Sequence, residues 1–189
     1  MIFSGSEKHV LSDMFTNGAC PFYQSASFLE LYPIPQNIYV SFIIKMFRNR
    51  GKYISEELAK KIYCEFDGIT FYVQRVCNGV FSNTEYNSHV TEDILKYTID
   101  GLLSSFDVIF RLRLSRLTTR QKELLIAIAK EKELVKITSV EFIKKYSLSS
   151  ASAIQTSMKA LIKDNILTKN DDGYSIEDKF LRLWIEKNY

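Results

Sequence analysis

Cysteine and histidine are the residues whose chemistry could hold a metal or attack a substrate. The chain has three cysteines, Cys20, Cys64 and Cys77, with no C-x-x-C pair among them, and two histidines, His9 and His89. Zinc sites use closely spaced Cys and His ligands, and a nucleophile needs an adjacent base. The spacing shows neither arrangement. We therefore expect no metal site and no catalytic residues, and thiols that are reduced and mostly buried.

The sequence also lacks acidic pairs spaced for catalysis and a phosphate-binding loop. Glu56-Glu57 and Asp171-Asp172 are adjacent in sequence, which favours a helix start and a turn over a catalytic dyad. The sequence contains no G-x-x-x-x-G-K-[ST] motif, and no apolar strand in it ends in paired acids. Nothing is therefore placed to cradle phosphates or to hold Mg²⁺.

The helix predicted over residues 151–165 has a polar face that could bind nucleic acid. Its apolar side chains share one side at about 100° per residue. The opposite side carries Ser152, Gln155, Thr156, Lys159 and Lys163. Gln pairs with adenine, Ser and Thr reach bases or phosphates, and Lys contacts phosphate or guanine. A polar face is equally typical of any solvated helix, and two lysines without an arginine are few, so we favour protein docking or a structural role over DNA.

Residues 117–189 have the element order of a winged helix-turn-helix. Three predicted helices come first, the second is short, and a Ser-rich turn at 147–150 precedes the third. Residues 166–176 then predict a β-hairpin with a Gly-containing turn, and a last helix follows. Helix order, length and turn chemistry all indicate this motif.

Residues 35–116 are predicted to be helical throughout. A helix beginning near Pro35 is expected to turn four apolar residues inward, namely Tyr39, Phe42, Ile43 and Phe47. Further helices are expected to be capped by Ser55, Thr70 and Thr91. The fold class is thus mainly α: a helical bundle, which the resemblance described below makes a lid-type bundle, followed by a winged helix-turn-helix with a small β-hairpin.

Composition is that of an ordinary globular domain. Of the 189 residues, 46% are hydrophobic and 25% are charged, and only seven Gly and three Pro favour helices over many tight turns. No apolar run reaches the roughly 18–20 residues that span a bilayer, and no signal-peptide pattern opens the chain. We expect a cytoplasmic protein with no membrane partner. The net charge of +3 is too small to identify a partner.

Several segments, taken in order, carry a family resemblance that covers essentially the whole chain. They are Ile2-Phe3-Ser4-Gly5-Ser6, Met14-Phe15, Cys20-Pro21-Phe22-Tyr23, the stretch from Thr70 to Asn78, and Leu117–Gln121 leading into Ser149–Ile154. In this order they resemble the archaeal-type predicted ATPases of the prokaryotic AAA+/STAND class. The resemblance implies an ATPase-core remnant at residues 1–34, a helical lid at 35–116 and a winged helix at 117–189.

The resemblance also implies where nucleotide would be sensed. Ser4 or Ser6 would occupy the position of a γ-phosphate sensor, and Gly68 and Thr70 would lie near the adenine. ATP and Mg²⁺ belong to the full-length family, whereas this chain alone is expected to need no cofactor. Because the P-loop and the paired acids are missing, we expect no hydrolysis by the chain itself and a regulatory or interaction role.

The family resemblance also implies which partners to expect. A strand near the N-terminus would lack its neighbours, so we expect either a truncated or a decayed relative. Its partner would be a missing ATPase core or another protein, and a homodimer through residues 1–31 would also cover the exposed edge. The alternative is a free-standing winged-helix DNA-binding protein that dimerises through its N-terminal helices.

Overall fold

The computed structural model describes residues 14–27, 32–131, 137–170 and 173–189. The chain divides into two compact units, Met1–Pro33 and Ile34–Tyr189. In the first unit, a helical turn at 14–16 leads into tight turns, and the amide of Gln24 donates to the carbonyl of Phe15 at 2.9 Å. Most of the helix predicted over Glu7–Phe15 and of the extended segment predicted over Ser27–Leu31 lies outside the described residues.

The second unit begins with the helices that the sequence predicts for the lid. Ser55 and Thr91 cap two of them, since each hydroxyl accepts a hydrogen bond from the backbone amide three residues later. The longest helix is continuous to Ser115. The four helices are α1 (Gln36–Arg48), α2 (Glu56–Glu65), α3 (Thr70–Asn83) and α4 (Glu92–Ser115).

Two expectations for these helices are wrong, and the expectation that the thiols are mostly buried holds only in part. Phe42 does not point into the core but is 50% exposed, and Val40 is buried in its place. Thr70 is the first residue of α3 rather than its cap. Ile69 holds the cap position, and its apolar side chain cannot accept a hydrogen bond. Of the thiols, Cys64 is exposed, whereas Cys20 and Cys77 are half-buried.

The C-terminal part has the winged helix-turn-helix order that the sequence predicts. A capping box at Thr118 and Gln121 opens its first helix, and Ser139 and Ser150 cap the next two. The two strands pair antiparallel, with Leu167 opposite Ile176. The elements are α5 (Thr119–Lys130), α6 (Val140–Lys145), α7 (Ala151–Lys163), β1 (Leu167–Asn170), β2 (Gly173–Ile176) and α8 (Lys179–Asn188).

One core joins the helices α1–α4 to the winged helix. Phe180 of α8 packs edge-to-face on Phe66 at 5.5 Å and stacks on Phe106 of α4 at 5.7 Å. Trp184 is almost fully buried, and its indole N–H donates to Asp107 at 3.0 Å. The C-terminal helix therefore contributes to the core that α1–α4 share with the rest of the winged helix. Among the described residues, no helix has the length and apolar character that crossing a membrane requires.

Candidate functional site

The recognition position of the winged helix is occupied by α7. Ser147 adopts a positive φ of 50° in the turn before it, and the Ser150 hydroxyl accepts the Ala153 amide at 3.4 Å. Ile154, Ser157 and Leu161 are buried on one side of the helix. The opposite face is consequently fixed outward by the packing of the core.

All five predicted contact residues lie on this outer face. The structure leaves Ser152, Gln155, Thr156, Lys159 and Lys163 exposed, as the helical spacing predicts. The Thr156 hydroxyl donates to the Ser152 carbonyl at 3.1 Å, and the hydroxyls of Ser152 and Ser150 are 3.0 Å apart. Lys159 and Lys163 form no ion pair with a described residue. Gln155 and the two lysines thus present side chains that a partner can bind.

The charge around α7 is balanced. Residues 139–177, which include α6, α7 and the hairpin, carry five basic and five acidic side chains. A DNA-binding surface normally concentrates positive charge, because phosphate contacts supply most of the affinity. The balance therefore favours a docking surface rich in hydrogen-bonding groups over a strongly DNA-binding one.

The predicted adenine-side residues lie at the turn before α3. Gly68 is buried with a φ of +66°, and a side chain there would meet the ring of Tyr63 at 2.5 Å. Thr70 is exposed at the uncapped start of α3. Ser4 and Ser6, the predicted phosphate sensors, lie outside the described residues, so the structure does not place them relative to Gly68 and Thr70.

A buried tyrosine hydroxyl lies close to this turn. Tyr39 of α1 is 2% exposed, and its hydroxyl forms no hydrogen bond within the described part of the chain. Burial raises the pKa of Tyr39, and an interaction with the Thr70 side chain partly offsets that rise. The same tyrosine ring packs edge-to-face on Tyr63, with 6.0 Å between centroids. The start of α3 is therefore lined by aromatic rings.

An apolar groove between α1 and α3 was not predicted from the sequence. Its volume is about 590 Å³, within the range of ligand pockets. Eight apolar and four polar residues line it: Tyr39, Phe42, Ile43, Met46, Phe47, Val73, Cys77 and Phe81, with Asn49, Arg50, Gln74 and Asn78. The only signal in the sequence was the lack of acidic residues on both helices and on the segments that flank them, over 32–53 and 69–84.

The described residues do not assemble a metal site or an evident nucleophile. Within residues 14–27, 32–131, 137–170 and 173–189, no group of three His, Cys, Asp or Glu side chains is close enough to hold a metal ion. Burial raises the pKa of the Cys77 thiol to about 12, so at neutral pH it is protonated and a poor nucleophile. Cys64 is exposed and accepts a hydrogen bond from the Gln36 amide at 3.0 Å.

Comparison with known proteins identifies the C-terminal part. Residues 108–187 match the family described as a probable winged helix domain. No curated protein matches the chain.

One solved structure shares the fold of nearly the whole chain. It is a Walker-type ATPase of Pyrococcus abyssi, which matches over 96% of this chain with a TM-score of 0.63 and 19% identity. The match covers 51% of that protein, so this chain spans about half of its length. An identity this low establishes a shared fold and nothing more.

Proposed function

We propose that this chain is the lid and winged-helix part of an ATPase of the AAA+/STAND class, with a regulatory or interaction role. The observation that carries the proposal is the shared fold, which extends over 96% of this chain and 51% of a Walker-type ATPase. Residues 1–34 then belong to the ATPase core, 35–116 to the lid and 117–189 to the winged helix. The chain does not hydrolyse ATP by itself.

The junction between the lid and the winged helix supports such a role. Arg182 of α8 pairs with Glu65 at the end of α2, and Lys179 pairs with Asp67 at 2.7 Å. Both ion pairs attach α8 to the turn that ends in Gly68, next to Thr70. In this proposal, the two ion pairs pass a movement at the end of α2 and in that turn to the winged helix.

The nucleotide belongs to the assembled ATPase in this proposal. The core supplies the P-loop and binds ATP and Mg²⁺, and the chain alone holds no cofactor. Gly68 and Thr70 face the adenine, and Ser4 or Ser6 senses the γ-phosphate. The core is either on a longer form of the same polypeptide or on a separate cytoplasmic partner, and a homodimer through residues 1–31 is an alternative assembly.

The test is to isolate the tagged protein from its source cells at natural abundance and identify what accompanies it. We expect a P-loop core, either within the same polypeptide, as a band near twice 21.9 kDa, or as a co-purifying protein. A 21.9 kDa chain that elutes without any P-loop protein contradicts the proposal. ATP hydrolysis by the purified chain above the background of a heat-denatured sample contradicts its second part.

A second candidate function is DNA binding by the winged helix. It is favoured by the outward position of Gln155, Lys159 and Lys163 on α7. The test is fluorescence anisotropy with random double-stranded DNA at several salt concentrations. Binding through these lysines predicts that Lys159→Ala and Lys163→Ala each reduce the salt slope by about 1.

The matched control for DNA binding is Lys60→Ala. Lys60 lies on α2 of the lid, where it pairs with Glu56 at 2.6 Å. Its removal should leave the salt slope unchanged. An absence of binding at 50 mM salt, or an equal effect of all three substitutions, rules out the recognition-helix mode.

A further inference from the structure

The groove between α1 and α3 exists because these two helices pack mainly on different neighbours. α1 packs against α2, whereas α3 packs chiefly against α4. The two helices contact each other through the edge-to-face pair of Phe47 and Phe81, whose ring centroids are 5.4 Å apart, and through Tyr39, which interacts with Thr70. Beside these contacts, a groove remains between them that is lined mainly by apolar residues.

Large apolar side chains line this space without being covered. Phe42 is 50% exposed and Met46 is 40% exposed, and both lie on the groove wall contributed by α1. They are one helical turn apart, so they form one continuous strip. On the facing wall, which belongs to α3, Val73 is fully buried and Cys77 is half-buried, so the exposed apolar surface of the groove is that of Phe42 and Met46. Exposed apolar surface arranged in this way marks an interaction site.

The two helices that form the groove carry basic and no acidic side chains. Residues 32–53 carry four basic and no acidic side chains, and residues 69–84 carry one basic and no acidic side chain. Lys45, Arg48 and Arg50 form no ion pair with a described residue, whereas the lysines at 60, 61, 145, 179 and 187 are all paired. Lys52 is held in place, because it donates to the Phe81 carbonyl at 2.7 Å.

We infer that this groove docks an amphipathic helix of a protein partner, with apolar side chains on one face and acidic residues beside them. The apolar floor takes anchors spaced at i, i+3 or i+4, and i+7, as in other helix-in-groove complexes. Arg50 and the neighbouring basic side chains attract the flanking carboxylates. Asn49, Gln74 and Asn78 provide hydrogen-bonding groups along the groove.

The dimensions of α1 suit a helical occupant. It has 13 residues and is therefore about 20 Å long, which matches three to four turns of a partner helix lying along it. A nucleic acid would use the positive charge but would leave Phe42 and Met46 without apolar contacts. The inference does not depend on the ATPase proposal, because it rests only on the groove and its charge.

The experiment uses the full chain and two designed probe peptides. Each is a fluorescein-labelled helical peptide of 18 residues with the same leucine stripe, and its solvent-facing positions are either all Glu or all Lys. We expect the Glu peptide to bind at least tenfold more tightly than the Lys peptide by anisotropy at 50 mM salt. Phe42→Glu should weaken the Glu peptide at least tenfold, and Arg50→Glu should reverse the preference between the two peptides.

The matched control places the same charge on another exposed apolar residue. Val108 of α4 is 69% exposed and does not line the groove, so Val108→Glu should leave binding unchanged. Urea unfolding of each variant checks that it remains folded. Equal binding of both peptides, or an equal loss in Phe42→Glu and Val108→Glu, overturns the inference. Stoichiometric binding of oleate without binding of the Glu peptide also overturns it, in favour of a small-ligand pocket.

Discussion

The guanidinium of Arg182 in α8 donates hydrogen bonds to both the side-chain and the backbone oxygens of Glu65, which lies 117 positions earlier at the end of α2. The same guanidinium also pairs with Glu186, one turn further along α8. One side chain thus connects α8 to the end of α2. The Arg182 side chain is 16% exposed, so this contact is largely shielded from solvent.

Breaking the contact from either side should destabilise the protein. Removing one partner of a shielded pair leaves the other charge without compensation. Glu65 is 35% exposed, which lets water moderate the loss. We expect Glu65→Gln to lower the free energy of unfolding by about 1–2 kcal/mol, and Arg182→Met to lower it by at least as much, because Glu186 then also loses its partner. Urea denaturation measures both.

The exposed pair of Lys60 and Glu56 provides the control for this prediction. These residues are four apart on α2, at 2.6 Å, with side chains that are 49% and 64% exposed. Water screens such a pair, so Lys60→Met should leave the unfolding midpoint unchanged. Equal effects at Lys60 and Arg182 would show that the contact between α8 and α2 adds no stability.

Two glycines should respond in opposite directions to the same substitution. Gly68 has a φ of +66°, and an added Cβ would lie 2.5 Å from the Tyr63 ring. Gly68→Ala is therefore expected to cost about 1–2 kcal/mol from the backbone alone, and more from the clash. Gly101 lies within α4 and has nothing within 4 Å of an added Cβ, so Gly101→Ala should stabilise by about 0.5–1 kcal/mol. Thermal unfolding of both variants measures these changes in stability. A stabilising Gly68→Ala would contradict the positive φ assigned to this turn.

Local signals predicted most of the elements. The capping box at Thr118 and Gln121, the serine caps before α6 and α7, and the outward face of α7 all follow from interactions within a few residues. The inward stripe of α1 was partly wrong, because Phe42 and Val40 are both compatible with helical spacing. Which of them is buried depends on where α2 packs, and that contact is not encoded locally.

The candidate site was less predictable than the fold. The contact residues on α7 were found because they share one face of a single helix. The groove needs α1 and α3 to be separated by their packing on α2 and α4, so no single segment contains its pattern. The pairing of Arg182 with Glu65 joins positions too far apart for any sequence periodicity to connect them.

The thiols of Cys64 and Cys77 should differ strongly in reactivity. Cys64 is exposed, whereas burial raises the pKa of Cys77 to about 12. Iodoacetamide at pH 8 should modify Cys64 readily, because its sulfur is accessible to the reagent. Cys77 should react much more slowly in the folded protein, because its raised pKa leaves little thiolate at pH 8, and faster after unfolding in urea. Mass spectrometry of tryptic peptides measures both rates separately from that of Cys20, and the double variant Cys20→Ser/Cys64→Ser leaves Cys77 as the single thiol.

Alkaline pH should destabilise the protein through Cys77 and then through Tyr72. The pKa of the Cys77 thiol is raised from its ordinary value of 9.0 to about 12 by burial. Burial, followed by the nearby Asp178 carboxylate, raises the pKa of Tyr72 from 10.0 to about 12. In each case the unfolded chain loses the proton at a lower pH than the folded protein does. The stabilisation is therefore complete below the unfolded pKa and is lost progressively as the pH rises toward 12.

The expected slope of the unfolding free energy with pH determines the pH range in which to measure it. One group contributes a slope of about 1.4 kcal/mol per pH unit above its unfolded pKa. Between pH 9 and 10.5, the unfolding free energy of the natural chain should therefore fall more steeply than that of Cys77→Ala. By pH 10.5, the unfolding free energy of the natural chain should have fallen by about 1–2 kcal/mol more than that of Cys77→Ala. Tyr72→Phe should differ from the natural chain only above about pH 10, and identical slopes in all three proteins would contradict the burial of both groups.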